Sequence, residues 1–311
     1  MSGGEDRDQG RKDEQAQSLA RIEAGGIPLS AERRLSACAD GGGSFTSELS
    51  VNGFALCDHL GLTPLSQVMG SSIYQMGYQA AWGQPGSAGP LGMGGTFMVE
   101  LDTLSEALNE VRRRALGRLA EEAVQVGADA VVGVSTRAGE TNLETGSVSL
   151  EHTVLGTAVR RDRSRGGAPV LTDLSVADFA KLVGAGFEPL GIVAWSSVFF
   201  AGFAFGAGLA GGEMLGSGAR QTYELGEFTQ AFYAARETTM TALGNQAAAL
   251  GASGVVGVSI THGARRHSLS AGMTSRERGG LMVTFNAIGT AIRQFATTPL
   301  KPPQMTVDLT H

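Results

Sequence analysis

Nine residues of this chain occur twice. Gly127-Ala128-Asp129-Ala130-Val131-Val132-Gly133-Val134-Ser135 returns as Gly251-Ala252-Ser253-Gly254-Val255-Val256-Gly257-Val258-Ser259, identical at seven of nine positions 124 residues later. Each copy follows a helix-like amphipathic run, opens on a glycine suited to a helix C-terminus, and continues into a Val-Val-Gly-Val segment suited to a buried strand. A second echo lies downstream, where Gly156-Thr157-Ala158-Val159-Arg160 matches Gly289-Thr290-Ala291-Ile292-Arg293 at an offset of 133. Such a chain is constrained to fold the same way twice. The expected class is α+β: two tandem copies of a small domain, each a mainly antiparallel sheet packed on one long helix.

Further matches place the boundaries. Leu49-Ser50-Val51 matches Leu174-Ser175-Val176, and Gly61-Leu62-Thr63-Pro64-Leu65 matches Gly186-Phe187-Glu188-Pro189-Leu190, both at an offset of 125. The domains are therefore expected over 46–160 and 172–295, joined by a flexible basic linker over 161–171. A polar N-terminal tail over 1–45 is expected to be mobile, and prolines mark a C-terminal tail over 296–311. Strands are expected over Leu65 to Tyr74, Leu190 to Phe199, Val148 to Val159 and Leu281 to Ile292. Thr103-Leu104-Ser105-Glu106 has the form of a capping box. Leu104, Leu108, Val111, Ala115, Leu119, Ala123 and Val126 then share one helical face, and Phe228, Phe232, Ala235, Thr239, Leu243, Ala247 and Leu250 repeat it 124 residues on. Arg112-Arg113-Arg114 reads as a solvated helix face.

Charge is distributed oddly. Only 17% of residues are charged, 46 are glycine, and neither Leu60 to Val99 nor Pro189 to Gly212 contains a charged residue. The apolar run from Val193 to Phe203 invites a transmembrane reading. Six glycines between Gly191 and Gly212, and the glutamines and prolines of the matching segment, argue against it. The favoured reading is that inserts 65–98 and 190–212 are strands followed by Gly-rich loops covered by a neighbouring subunit, which makes the chain a homo-oligomer. A paired membrane-facing or pore-lining insert is the alternative. A net charge of -6 gives no basic face for nucleic acid. Met1 to Leu35 lacks the apolar run of a secretory signal, and two cysteines make no disulfide framework, so the expected location is cytoplasmic.

The helix, Gly-Ala-x-x-Val-Val-Gly-Val, and terminal Gly-Thr-Ala-(Val/Ile)-Arg resemble the YbjQ-type family, which carries a heavy-metal-binding label. The second copy resembles it more fully, through Ala234-Ala235-Arg236-Glu237, Leu250-Gly251-Ala252, Val255-Val256-Gly257-Val258 and Gly280-Leu281-Met282-Val283-Thr284. The resemblance implies a small α+β domain that assembles into a fivefold ring, with no established enzymatic activity. A tandem closes either as a ring of ten domains or as two stacked rings, and both stay open here. This chain departs from the family in its long uncharged inserts. It also has Thr136-Arg137 and Ile260-Thr261 where an acidic-aromatic pair often follows the Val-Val-Gly strand.

The family label directs attention to soft or transition metals, which take thiolate and imidazole ligands. Cys57 and His59, with Cys38 nineteen residues before Cys57, form the candidate metal set. The repeat supplies an internal control, because Leu182 and Gly184 stand where a duplicated site would repeat Cys57 and His59. Cys57 then reads as a small buried apolar residue. His262 and His267 are expected in a solvated loop, and His152 in a packed or interfacial position with Val148, Leu150 and Val154. Gly92-Met93-Gly94-Gly95-Thr96 and Gly206-Ala207-Gly208 lack the lysine of a phosphate loop, and no nucleophile, base and acid fall into a set. The expected function is a non-catalytic, ring-forming assembly or binding protein with an unidentified protein partner and no cofactor. A heavy-metal-binding module and a membrane-associated assembly are the alternatives.

Overall fold

The computed structural model describes residues 3–40, 42, 45–77, 96–142, 147–162, 166–203, 224, 226–270 and 277–296. The inner parts of both inserts and the C-terminal tail lie outside these residues. In chain order the elements are α1 (Gly3–Glu23), α2 (Leu29–Ala39), α3 (Val51–His59), β1 (Leu62–Gly77), β2 (Thr96–Glu100), α4 (Asp102–Gln125), β3 (Ala130–Asn142), β4 (Ser147–Arg161), β5 (Val170–Leu171), α5 (Val176–Gly184), β6 (Phe187–Phe203), α6 (Gly226–Ala249), β7 (Gly254–Ser270) and β8 (Glu277–Gln294). They form an α+β fold with two four-stranded sheets, ordered β1-β4-β3-β5 and β2-β6-β8-β7.

The two halves follow the same local rules. Ser50 and Ser175 cap α3 and α5, each hydroxyl accepting from the backbone N–H three residues on. Gly127 and Gly251 adopt φ of 71° and 70° after the long helices, a conformation that an L side chain resists. Antiparallel registers agree as well: Leu62 faces Arg161 as Phe187 faces Gln294, and Ala130 faces Val159 as Gly254 faces Ile292. Irregularities between Val132 and Ser135 and between Val256 and Ser259 fall at Gly133 and Gly257, whose φ are 63° and 66°. Even a helix-to-strand clamp is shared. Glu122 accepts from the Met69 N–H at 2.8 Å, while Gln246, its equivalent, both accepts from and donates to the Ala194 backbone at 3.1 Å.

The layers run sheet one, α4, sheet two, α6. Ala115, Leu119 and Ala123 of α4 pack on Val68 and Val154 of the first sheet. Val111 and Leu104 of the same helix share a cluster with Leu150 of the first sheet and Val198 and Phe200 of the second. The other face of sheet two carries Phe199, Val283 and Phe285 against Phe228, Ala231 and Ala235 of α6. Strand β2 from the first half pairs with β6 of the second, Thr96 facing Phe203, which ties the halves together. Among the described residues no helix is long and apolar enough to cross a membrane.

Several expectations need correction. The N-terminal segment is not a mobile tail over 3–39: α1 and α2 form there, and Ile27 and Leu35 are buried in the first core. The physical anchor is Arg118, which donates to the carbonyls of Ile22 (2.9 Å), Gly26 (3.1 Å) and Ser71 (2.5 Å). Arg34 adds an ion pair to buried Glu122 at 2.8 Å. Replacing Arg118 with Met is expected to cost about 3 kcal/mol, because three carbonyls lose a charged donor. Hydrogen exchange is expected to speed up first in 3–39 of that variant, and uniform exchange throughout the chain would contradict the anchor.

The capping box does not form either. Helix α4 begins two residues earlier than the box requires, with Leu101 at its cap and no side-chain cap bond. Its first turn is held instead by the second half, the Leu101 N–H donating to the Val198 carbonyl and the Val198 N–H to the Ser105 hydroxyl. The linker over 161–171 ends in structure, since Val170 and Leu171 pair in parallel with Ala130 and Val131. His262 lies on strand β7, not in a loop, because the hairpin of β7 and β8 continues past the repeated motif.

Candidate functional site

The joint between the halves holds most of what is chemically distinctive. It begins where the chain leaves the first half and returns along its edge. The Val170 and Thr172 N–H groups donate to the Asp129 and Val131 carbonyls at 3.0 and 2.9 Å, and Gly133 and Val134 donate back to Leu174 and Thr172 at 2.9 and 3.0 Å. The left-handed Gly133 breaks the β3–β4 pairing and frees these donors for the new strand. Thr172 is locked to its own half by a 2.9 Å hydroxyl bond to Thr290, and its hydroxyl accepts from the Leu174 N–H. Helix α5 follows and lays Val176 and Phe179 against Ala130, Val132 and Val159. Burying those two side chains contributes roughly 4 kcal/mol to holding the halves together.

Deeper in the joint, α4 meets β6 through polar groups. Asn109 clamps the Ser196 backbone, its carboxamide oxygen accepting from the N–H and its nitrogen donating to the carbonyl, both at 2.8 Å. Arg112 donates to Asn109 at 3.1 Å and to the Ser196 hydroxyl. Arg112 is buried, so the expectation of a solvated arginine face fails for it. It bonds neutral groups only as far as these contacts go, and burial holds its pKa down at about 10. His152 on β4 is also buried, and its Nε2 has no hydrogen-bond partner among the described residues. Burial first, and the Arg112 charge second, push its pKa down to about 4. Buried and neutral at pH 7, the ring packs as part of the core beside Arg112.

The candidate metal ligands fall differently. Cys57 is fully buried on α3 in the apolar cluster with Leu62, Val132, Val176 and Phe179, and burial pushes its thiol pKa up. His59 sits exposed in the last turn of the same helix. Cys38 lies on α2 with the Ser66 hydroxyl 3.9 Å from its sulfur. Among the described residues no three His, Cys, Asp or Glu side chains converge as a metal ion needs.

Sequence reasoning missed the outward faces of the two halves. Large apolar side chains stand bare at both ends of the layered stack: Val51, Phe54 and Ile73 in the first half, Tyr233, Val258 and Ile260 in the second. The alignment of Val51 with Val176 was the available signal. It identifies matching positions without saying which of them is covered.

Comparison with known proteins adds two findings. The YbjQ-type family model, described as "Putative heavy-metal-binding", matches residues 93–162, which run from β2 to the end of β4. That match lies in the first half, not in the second where the motifs are fuller. A curated protein of Mycobacterium tuberculosis, the encapsulin nanocompartment protein Rv1762c, is 32% identical over 260 residues, covering 81% of this chain and 86% of its own length. At that identity and coverage, the chain belongs to the family of the encapsulin nanocompartment protein Rv1762c.

Proposed function

We infer that this chain is a non-catalytic building block that assembles with copies of itself into a compartment-like particle. The observation that carries the reading is the set of bare apolar side chains on the two outward faces, Val51 at 86%, Ile73 at 67% and Tyr233 at 68% exposure. A chain that stays single pays a solubility penalty for such patches, while an assembling chain covers them. The relative's name, a nanocompartment protein, supports the same reading.

The two halves, 46–160 and 172–295, are on this view diverged copies of one YbjQ-like domain. Matching caps, registers and left-handed glycines support a common origin, since packing alone does not demand identical irregularities. A cytoplasmic particle closed by ring symmetry, fivefold in the form the family resemblance implies, is the expected assembly. The heavy-metal label finds less support here, because Cys57 is enclosed in an apolar cluster and has Leu182 as its counterpart. Electron images of the purified full chain test the proposal. Closed particles of uniform size are expected, and a field of single 32.1 kDa molecules would overturn it.

A further inference from the structure

We propose that copies of this chain join head to tail by repeating the joint between its own two halves. Residues 45–54 and the outer face of the first sheet of one copy seat on β7 and α6 of another. This rests on the reading of the chain as an assembly subunit and names the surface that does the assembling.

Within one chain, the second half covers its leading residues with the first half. Val176, Phe179 and Val198 are 2%, 6% and 0% exposed in the joint. Their counterparts 125 residues earlier are Val51, Phe54 and Ile73, at 86%, 50% and 67%. Two of the three pairs are the same residue, so the difference is one of cover and not of chemistry. The trailing side shows the converse. Val134 of the first half is 5% exposed under the returning chain, whereas its counterpart Val258 is 37% exposed. Asn109, which grips sheet two through Ser196, has the exposed Tyr233 as its counterpart on α6. Each end of the molecule thus presents half of a joint that its middle already shows complete.

The backbone repeats the pattern. By the same offsets, the Ser47 N–H meets the Val255 carbonyl, and the Gly257 and Val258 N–H groups meet the Leu49 and Ser47 carbonyls. Gly257 has the left-handed φ that frees its counterpart's donors, 66° against 63° at Gly133. Among the described residues no strand pairs with the outer edge of β7. The incoming segment is already shaped. Ser47 bonds Thr157 at 3.2 Å and accepts from the Leu49 N–H at 3.0 Å, as Thr172 bonds Thr290 and accepts from Leu174. A segment held in its docked form loses little entropy on association. The contact joins two different faces, so it propagates from copy to copy and closes only if its rotation allows.

Complementary variants test this in the full chain. Val51→Asp with Phe54→Asp removes the leading face, and Tyr233→Asp with Val258→Asp removes the trailing face. All four sites are exposed, and circular dichroism checks that each variant keeps the wild-type fold. Each variant alone is expected to sediment as a 32.1 kDa monomer, and an equimolar mixture is expected to form one capped heterodimer. Either variant assembling like the wild type, or a mixture that stays monomeric, would overturn the joint. A second measurement needs no disruption: Thr46→Cys with Val255→Cys in one chain is expected to give a ladder of inter-chain disulfides, while Thr46→Cys with Gly263→Cys gives none. Absence of the first ladder also counts against the joint. A monomeric wild-type protein would sink the assembly reading itself, whereas an assembled wild type indifferent to these changes sinks the joint alone.

Discussion

Replacing Gly70 with Ala is expected to destabilise the protein by about 3 kcal/mol, at the upper end of what overpacking costs. Gly70 sits on β1 directly beneath α4. A β-carbon there would lie 2.7 Å from the Leu119 amide nitrogen and closer still to the Ala115 carbonyl oxygen. Both are backbone atoms of a helix interior, so no flexible side chain can yield, and the helix must lift from its sheet. That movement would loosen Ala115 and Leu119 from Val68 and Val154, which share the first core. The second half has Trp195 at the equivalent position. The expected fall in melting temperature is roughly 5 °C. An unchanged melting temperature would mean that α4 does not lie against β1 as described.

The second large effect is with acid. The His152 pKa is lowered from 6.5 to about 4, so the folded protein favours the neutral ring more than the unfolded chain does. Stability from this group is complete above the unfolded value of 6.5 and drains away as pH falls toward 4. The loss amounts to about 3 kcal/mol between pH 8 and pH 4. His152→Phe removes it, because Phe285 already fills the equivalent place in the second half and carries no proton. Glu100 and Asp173, whose pKa values burial raises, act in the opposite sense. The comparison is therefore between wild type and variant over one pH range, by urea denaturation. Equal acid losses in both proteins would show that His152 is not a dry, uncharged packing group.

The sequence made the repeated frame legible because the frame depends on local rules. A glycine after each long helix, a serine before each short one and a Val-Val-Gly step in each repeated strand are written residue by residue. What depended on distant partners was not legible. Arg112 reads like its neighbours Arg113 and Arg114, yet only Arg112 meets Ser196 from the other half. Helices α1 and α2 look like solvated chain because few residues anchor them, and the main anchor, Arg118, lies 92 residues beyond Gly26. Strand β5 is two residues long, with nothing in its composition to mark it. The assembly faces are the sharpest case. Val51 and Val176 are the same residue in the same motif, and only the fold reveals that one is covered and the other bare. Cys57 goes the other way: the sequence offered it as a ligand beside His59, and the same helix turns it inward and leaves His59 outside.

The most direct measurement of the central claim is the mass of the full-length protein at micromolar concentration, by sedimentation velocity. Assembly through the two outward faces predicts a single species many times heavier than the 32.1 kDa chain. A stable species of one chain, with Val51, Phe54 and Tyr233 left in water, would contradict it.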